Sequence, residues 1–220
     1  MMTGGAKRSI FDESIARNYE GWYESEKGRL FDKLEKDLIL KLIKPRPGQR
    51  ILDIGCGTGH HLIWFKDLGL TVIGVDNSPD MLNIARKKVG KELELKLAGA
   101  KDLPFADKSF EIATMITTLE FLDQPAIALK EALRVSKDKV FLGVLNRYSL
   151  LCLKRKIRGM FFKDPIWSYA KFFSLRQLAR LVKSLDKGLV FDWQTVIPNL
   201  PNKNPFGAFI GVLITRLNYL

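Results

Sequence analysis

A chain of 220 residues, 46% hydrophobic and 27% charged, has the apolar content for a buried core and lacks the charge bias of a disordered chain. Its two cysteines, Cys56 and Cys152, exclude a disulfide framework and a cysteine-based metal cluster. No apolar run reaches the roughly 18 residues of a spanning helix, and Met1 to Arg8 lacks the apolar core of a signal peptide, so a cytoplasmic protein is expected. The net charge of +12 is uneven: residues 151–220 hold 12 Lys or Arg against 3 Asp or Glu, residues 1–150 hold 24 against 21. A basic third of this kind suits an acidic substrate, an anionic membrane or nucleic acid, and is equally the composition of a solvated surface.

In chain order, residues 1–10 read as a tail and 11–44 as mostly helical. Phe11, Ile15 and Tyr19 recur four apart and share a face, with Asp12 or Ser9 as cap. Gly28 is the expected break. Leu30, Leu34, Leu38, Leu40 and Ile43 then line a second helix, ended by Pro45-Arg46-Pro47-Gly48. Tyr19, Trp22 and Tyr23 form an aromatic group whose plain role is packing. Strands are expected over 50–55, 71–75, 93–98, 110–116 and 139–145, and helices over 58–68, 78–89 and 124–135. This alternation predicts βαβ units and a parallel sheet.

After Asn146 the rhythm changes. Residues 148–163 are both apolar and basic, with Leu150, Leu153 and Ile157 on one helical stripe and Lys154, Arg155, Lys156 and Arg158 flanking it. That is the composition of an interfacial helix, or of a surface helix covering one end of the sheet. A helix capped by Ser174 with Gln177 in the capping-box position follows, then strands over 189–196 and 209–214. The organisation expected is one domain over 1–220, with a helical cap at 9–44 and an inserted cover at 147–172.

The most informative stretch is Ile51 to Gly59. A buried strand runs into Gly55, Gly57 and Gly59, at the start of a helix whose free N–H groups would face whatever the glycines cradle. A second strand ends at Asp76, an acid well placed for the two hydroxyls of a ribose. The dinucleotide spacing G-x-G-x-x-G fails, because its last position falls on His60 or Leu62. The phosphate-loop pattern is absent, and no Lys or Arg lies between Arg50 and Lys66. The turn therefore suits a nucleoside without a pyrophosphate.

Asp53-Ile54-Gly55-Cys56-Gly57-Thr58-Gly59 resembles the first motif of class I S-adenosylmethionine-dependent methyltransferases. Asp76 matches that family's ribose acid, and Leu103 to Glu111 is similar to its approach to the fourth strand. The resemblance covers roughly residues 45–145. It implies an α/β, Rossmann-like fold: a seven-stranded, mostly parallel sheet with helices on both faces and an antiparallel C-terminal strand pair. It implies S-adenosyl-L-methionine as cofactor and S-adenosyl-L-homocysteine as product. Asp53, Gly55, Cys56, Gly57, Gly59, Asp76, Asn77, Ala100, Lys101 and Thr117 are the implied cofactor residues. Gly99 stands where relatives place an acid, which leaves backbone groups of Ala100 and Lys101 to meet the adenine.

Methyl transfer from a sulfonium needs alignment and dryness rather than a covalent nucleophile or a metal. A base is needed only where the acceptor must lose a proton. Glu120, Tyr19, His60 and His61 are the candidates, with helix packing the plainer role for His61. Tyr19 would act from an N-terminal lid. The Asn/Asp-Pro-Pro-aromatic motif of amide and adenine-nitrogen methylation is missing; Thr117-Thr118-Leu119-Glu120 takes its place. The expected acceptor is a small or lipid-like molecule, with peripheral contact to an anionic membrane as a second expectation. RNA methylation and non-catalytic nucleoside binding are the alternatives. The oligomeric state is left open.

Overall fold

The computed structural model describes residues 11–150, 152–154, 157, 169–196 and 203–216. Two helices come first. Helix α1, Glu13–Glu24, is capped by Asp12, whose side chain accepts from Ile15 N. Helix α2 is Glu26–Ile43. The break between them falls at Ser25 and not at Gly28: the Ser25 hydroxyl donates to Trp22 O at 2.7 Å and accepts from Gly28 N at 3.0 Å. Gly28 lies inside the first turn of α2, where a Cβ would sit 1.7 Å from Trp22 O, so glycine permits the tight junction.

The alternating core follows: β1 Arg50–Ile54, α3 His60–Asp67, β2 Thr71–Asp76, α4 Pro79–Val89, β3 Glu94–Leu97, β4 Phe110–Ile116, α5 Pro125–Val135 and β5 Ser136–Leu145. Strand β5 begins three residues earlier than expected, because Ser136 pairs with Phe110 across a register shift. Helix α6, Leu175–Leu185, carries the expected Ser174/Gln177 capping box, and β6, Leu189–Val196, and β7, Phe209–Arg216, complete the sheet. Of the helix expected over 148–163, Cys152–Lys154 and Ile157 are helical and the remainder lies largely outside the described residues.

The seven strands are ordered β3-β2-β1-β4-β5-β7-β6. Pairs among β1 to β5 are parallel, while β7 is antiparallel to both β5 and β6. Side chains alternate between two apolar layers, as the strand period of two requires. Leu52, Ile54, Ala113 and Met115 pack toward α5 and α6; Ile51, Ile112 and Phe141 pack toward α2, α3 and α4. Gly211 lets α2 press on β7, since a Cβ there would lie 2.1 Å from Leu38 Cδ2. Among the described residues, no helix is long and apolar enough to cross a membrane. Strand order reverses between β1 and β4, which opens a crevice at their carboxyl ends.

Candidate functional site at the carboxyl ends of the strands

A cavity of about 380 Å³ occupies that crevice, within the range for small-ligand sites. Its floor is the turn after β1. Gly55 N and Cys56 N both donate to Val75 O, at 2.8 and 2.9 Å, which folds the turn against the end of β2. Gly55 has φ +76°, and a Cβ on it would meet Thr118 Cγ2 and Oγ1 at 2.5 Å. Gly57 has φ +54°, yet a Cβ on it would meet nothing within 4 Å. One glycine lets the chain pass; the other leaves space for a guest.

Asp76 is buried beside this turn. Its Oδ2 accepts from Gly57 N at 2.9 Å and its Oδ1 from Ser78 N at 2.8 Å. Burial lifts its carboxyl above the usual range, against the pull of backbone N–H groups of Ser78, Gly57 and Asn77. Each oxygen keeps a lone pair for a further donor. On the rim, Lys101 pairs with Asp123 at 3.0 Å, joining the loop after β3 to the segment after β4. Thr117 takes φ +50° and donates its N–H to Gly143 O at 2.7 Å.

The roof is aromatic and comes from the N-terminal segment. Tyr23 stacks on His60 with ring centroids 3.8 Å apart and planes at 15°. Tyr19 meets Tyr23 edge-on at 5.8 Å, and Phe11 meets Phe121 edge-on at 4.8 Å. Burial pushes the Tyr23 phenol well up, with Tyr19 and Glu35 adding to it, so Tyr23 stays protonated. The roof is latched: Ser78 Oγ donates to Phe11 O at 2.6 Å, and Glu20 receives both the Thr58 hydroxyl and the Lys88 ammonium.

His60 also faces α2. Its Nε2 is 2.8 Å from Asp32 Oδ1, and Lys36 reaches the other oxygen of Asp32 at 2.7 Å. Burial raises Asp32, but the hydrogen bonds from His60 and Lys36 outweigh it and hold the carboxyl below its ordinary value. An ionised Asp32 fixes the proton on Nε2, so a neutral His60 carries its lone pair on Nδ1. His61 also lies on the cavity wall, but its Nε2 is buried without a hydrogen-bond partner and its ring packs edge-on against His60 at 5.3 Å. Burial pushes its pKa down to about 3.

The expected site residues Tyr19, Gly55, Cys56, Gly57, His60, Asp76, Asn77, Ala100, Lys101 and Thr117 all line the cavity. Asp53, Gly59 and Glu120 do not. Asp53 is buried behind the turn, accepts from Thr114 Oγ1 at 2.8 Å, and is pushed up to about 7 chiefly by burial. Gly59 serves packing, its absent Cβ lying 3.3 Å from Ala85 on α4. Glu120 turns inward: its Oε1 accepts from Leu145 N at 2.6 Å at the end of β5. That placement corrects the expectation of an acceptor-facing base there. Burial raises the Cys56 thiol well up, which suits a packing role. Sequence reading missed Asp32, Phe11 and Phe121 as site residues, and of the aromatic group Tyr19, Trp22 and Tyr23 it singled out only Tyr19 for the lid.

A family model described as a methyltransferase domain matches residues 52–143. The crystal structure of a Thermotoga maritima S-adenosylmethionine-dependent methyltransferase, described as a possible histamine N-methyltransferase, superposes with a TM-score of 0.72 at 29% identity, over 94% of this chain and 97% of that one. The chain belongs to the class I S-adenosylmethionine-dependent methyltransferases. The uncharacterized protein MJ1123 of Methanocaldococcus jannaschii is similar along its length, 30% identical over 87% of each chain. A demethylmenaquinone methyltransferase of Renibacterium salmoninarum is 36% identical over 100 residues, but the chain spans only 42% of that protein's length.

The methyltransferase's own geometry fits S-adenosylmethionine, its cofactor. Space over Gly57 admits a ligand against the backbone, and Asp76 offers two acceptor oxygens for a vicinal diol.

Proposed function

We propose that this methyltransferase acts on a small, neutral, apolar acceptor of the hydroxylated aromatic or lipid-like class, in the cytoplasm. The observation that carries this is the aromatic lining of the cavity by Phe11, Tyr19, Tyr23 and Phe121. Flat aromatic walls reward a flat apolar guest. A cationic amine would want an unpaired carboxylate; the acids lining the cavity are Asp76, set for the ribose, and Asp123, paired with Lys101. The similarity to a demethylmenaquinone methyltransferase supports the same class.

S-Adenosylmethionine, when bound, supplies an electrophilic methyl group on a sulfonium. The residues of the chain do the rest. Asp76 holds the ribose, while backbone groups of Ala100 and Lys101 and the Asn77 side chain border the adenine. Thr117 and Ile116 wall the methionine end. The N-terminal helical segment acts as the cap: Tyr19 and Tyr23 exclude water and align the acceptor, which is an orientation task. His60, held by Asp32, is the group we assign to accept a hydroxyl proton at Nδ1, and Tyr19 is a positioning residue.

The test is a labelled-methyl screen over reduced hydroxyquinones, simple phenols, histamine and bulk tRNA. Transfer to the phenolic compounds, weakened at least about tenfold by His60→Ala, is the expected result. Transfer to histamine or tRNA alone would overturn the assignment.

A further inference from the structure

The segment after β5 adjoins the start of helix α6, with Arg147 N donating to Phe173 O at 2.9 Å. Arg147 donates to Gln177 Oε1 at 3.3 Å, and its guanidinium lies 5.7 Å from the centre of the Tyr148 ring. On this segment the apolar stripe points away from the protein: Leu150 is 78% exposed, Leu153 54% and Ile157 44%, while Cys152 on the opposite side is 2% exposed. Tyr148 and Tyr169 are exposed too. Large side chains at helical spacing are normally the buried face, so the stripe is the reverse of a covering helix.

The same surface is basic: among the described residues Arg147, Lys154, Lys171, Arg176, Arg180 and Lys183 are exposed on these two segments. On α6, Arg176, Arg180 and Lys183 recur four and three apart, are exposed, and pair with no carboxylate among the described residues. The face adjoins the cavity. Lys171 donates its backbone N–H to Glu120 O at 2.8 Å and its ammonium to Leu122 O at 3.3 Å, and Phe121 and Leu122 line the cavity.

We propose that this face seats the enzyme on an anionic lipid surface. Leu150 and Leu153 enter the boundary between headgroups and acyl chains, and Arg176, Arg180 and Lys183 lie against lipid phosphates. A second copy of the chain is a poor occupant, since a two-fold contact would set like charges against each other. RNA would leave the aliphatic stripe without a partner. The purpose of docking, delivery of an apolar acceptor to the adjacent cavity, rests on the function proposed above; the docking itself does not.

The full chain is sedimented with vesicles of phosphatidylcholine alone and of phosphatidylcholine mixed with phosphatidylglycerol, without acceptor or turnover. Binding to the mixed vesicles is expected, weakened by salt. Leu150→Glu with Leu153→Glu, and separately Arg176→Glu with Arg180→Glu, should each reduce it at least about tenfold. S-Adenosylmethionine affinity by calorimetry should match the unsubstituted chain in both variants, which shows that they fold. No binding to the mixed vesicles at low salt overturns the proposal. So does binding that neither variant alters, and so does a tRNA gel shift abolished by the α6 variant without vesicle binding. An acceptor screen that fails while the vesicles bind counts against the acceptor class alone.

Discussion

Replacing Asp76 with alanine is the sharpest probe of the cofactor site. Each carboxylate oxygen already takes one backbone N–H, from Gly57 and from Ser78, and each has one lone pair left for a ribose hydroxyl. A hydrogen bond to a charged group contributes about 1.5–3 kcal/mol, so two of them amount to about 3–6 kcal/mol. At about 1.4 kcal/mol per decade, the Kd for S-adenosylmethionine should rise roughly 10²- to 10⁴-fold. The variant also frees two backbone donors, so part of the effect is loosening of the turn. Calorimetry at neutral pH, with thermal unfolding of the cofactor-free protein beside it, separates the two. A Kd within about fivefold of the original would refute the ribose assignment, because even one lost charged hydrogen bond exceeds that.

Three further outcomes follow from the same geometry. Gly57→Ala should cost the fold only the left-handed penalty of about 1–2 kcal/mol but block the cofactor, whereas Gly55→Ala drives a methyl into Thr118 and should lower stability more; thermal shift with and without S-adenosylmethionine distinguishes them. Glu120→Ala strands Leu145 N–H and should cost about 1–3 kcal/mol with cofactor affinity unchanged; a loss of turnover with stability intact would restore Glu120 to the chemistry. Asp53 and His61 should oppose each other in acid. Asp53 in the fold titrates at about 7, above its ordinary 3.8, so the folded state holds a proton the unfolded state has lost, and this contribution to stability falls as pH rises through that window. His61 titrates at about 3, below its ordinary 6.5, so its contribution falls as pH drops through that window. Where the windows overlap each slope is at most about 1.4 kcal/mol per pH unit, with opposite sign. Relative to the unsubstituted protein, Asp53→Asn should make stability rise more steeply with pH between these limits, and His61→Leu should make it fall. Urea midpoints that move alike in both variants would refute the pairing.

The sheet and the floor of the site were legible because both are written locally. Strand and helix periods alternate cleanly from Arg50 to Leu145, and glycines at alternate positions followed by an acid at a strand end have few other meanings. The roof was not legible. Tyr23 meets His60 across 37 positions and Asp32 meets His60 across 28, contacts that no local period encodes. Glu120 misled because a carboxylate after a strand looks solvent-facing. Its neighbour Leu119, fully buried, pulls the turn inward, and Leu145 N–H supplies the partner that makes burial tolerable. The outward stripe of Leu150, Leu153 and Ile157 had the right spacing in the sequence, but its direction depends on which side Cys152 takes.

Glu20 holds the hydroxyl of Thr58 from above, one residue beyond the glycine that faces open space. Anything entering over Gly57 passes beneath a bolt fastened to the threshold itself. Loading should therefore be compulsory-order, donor before acceptor, and the spent nucleoside should leave last. Pre-steady-state mixing with substrate in excess over enzyme would then show a fast first round followed by a slower steady rate, and Glu20→Ala would erase the difference by letting the door swing free.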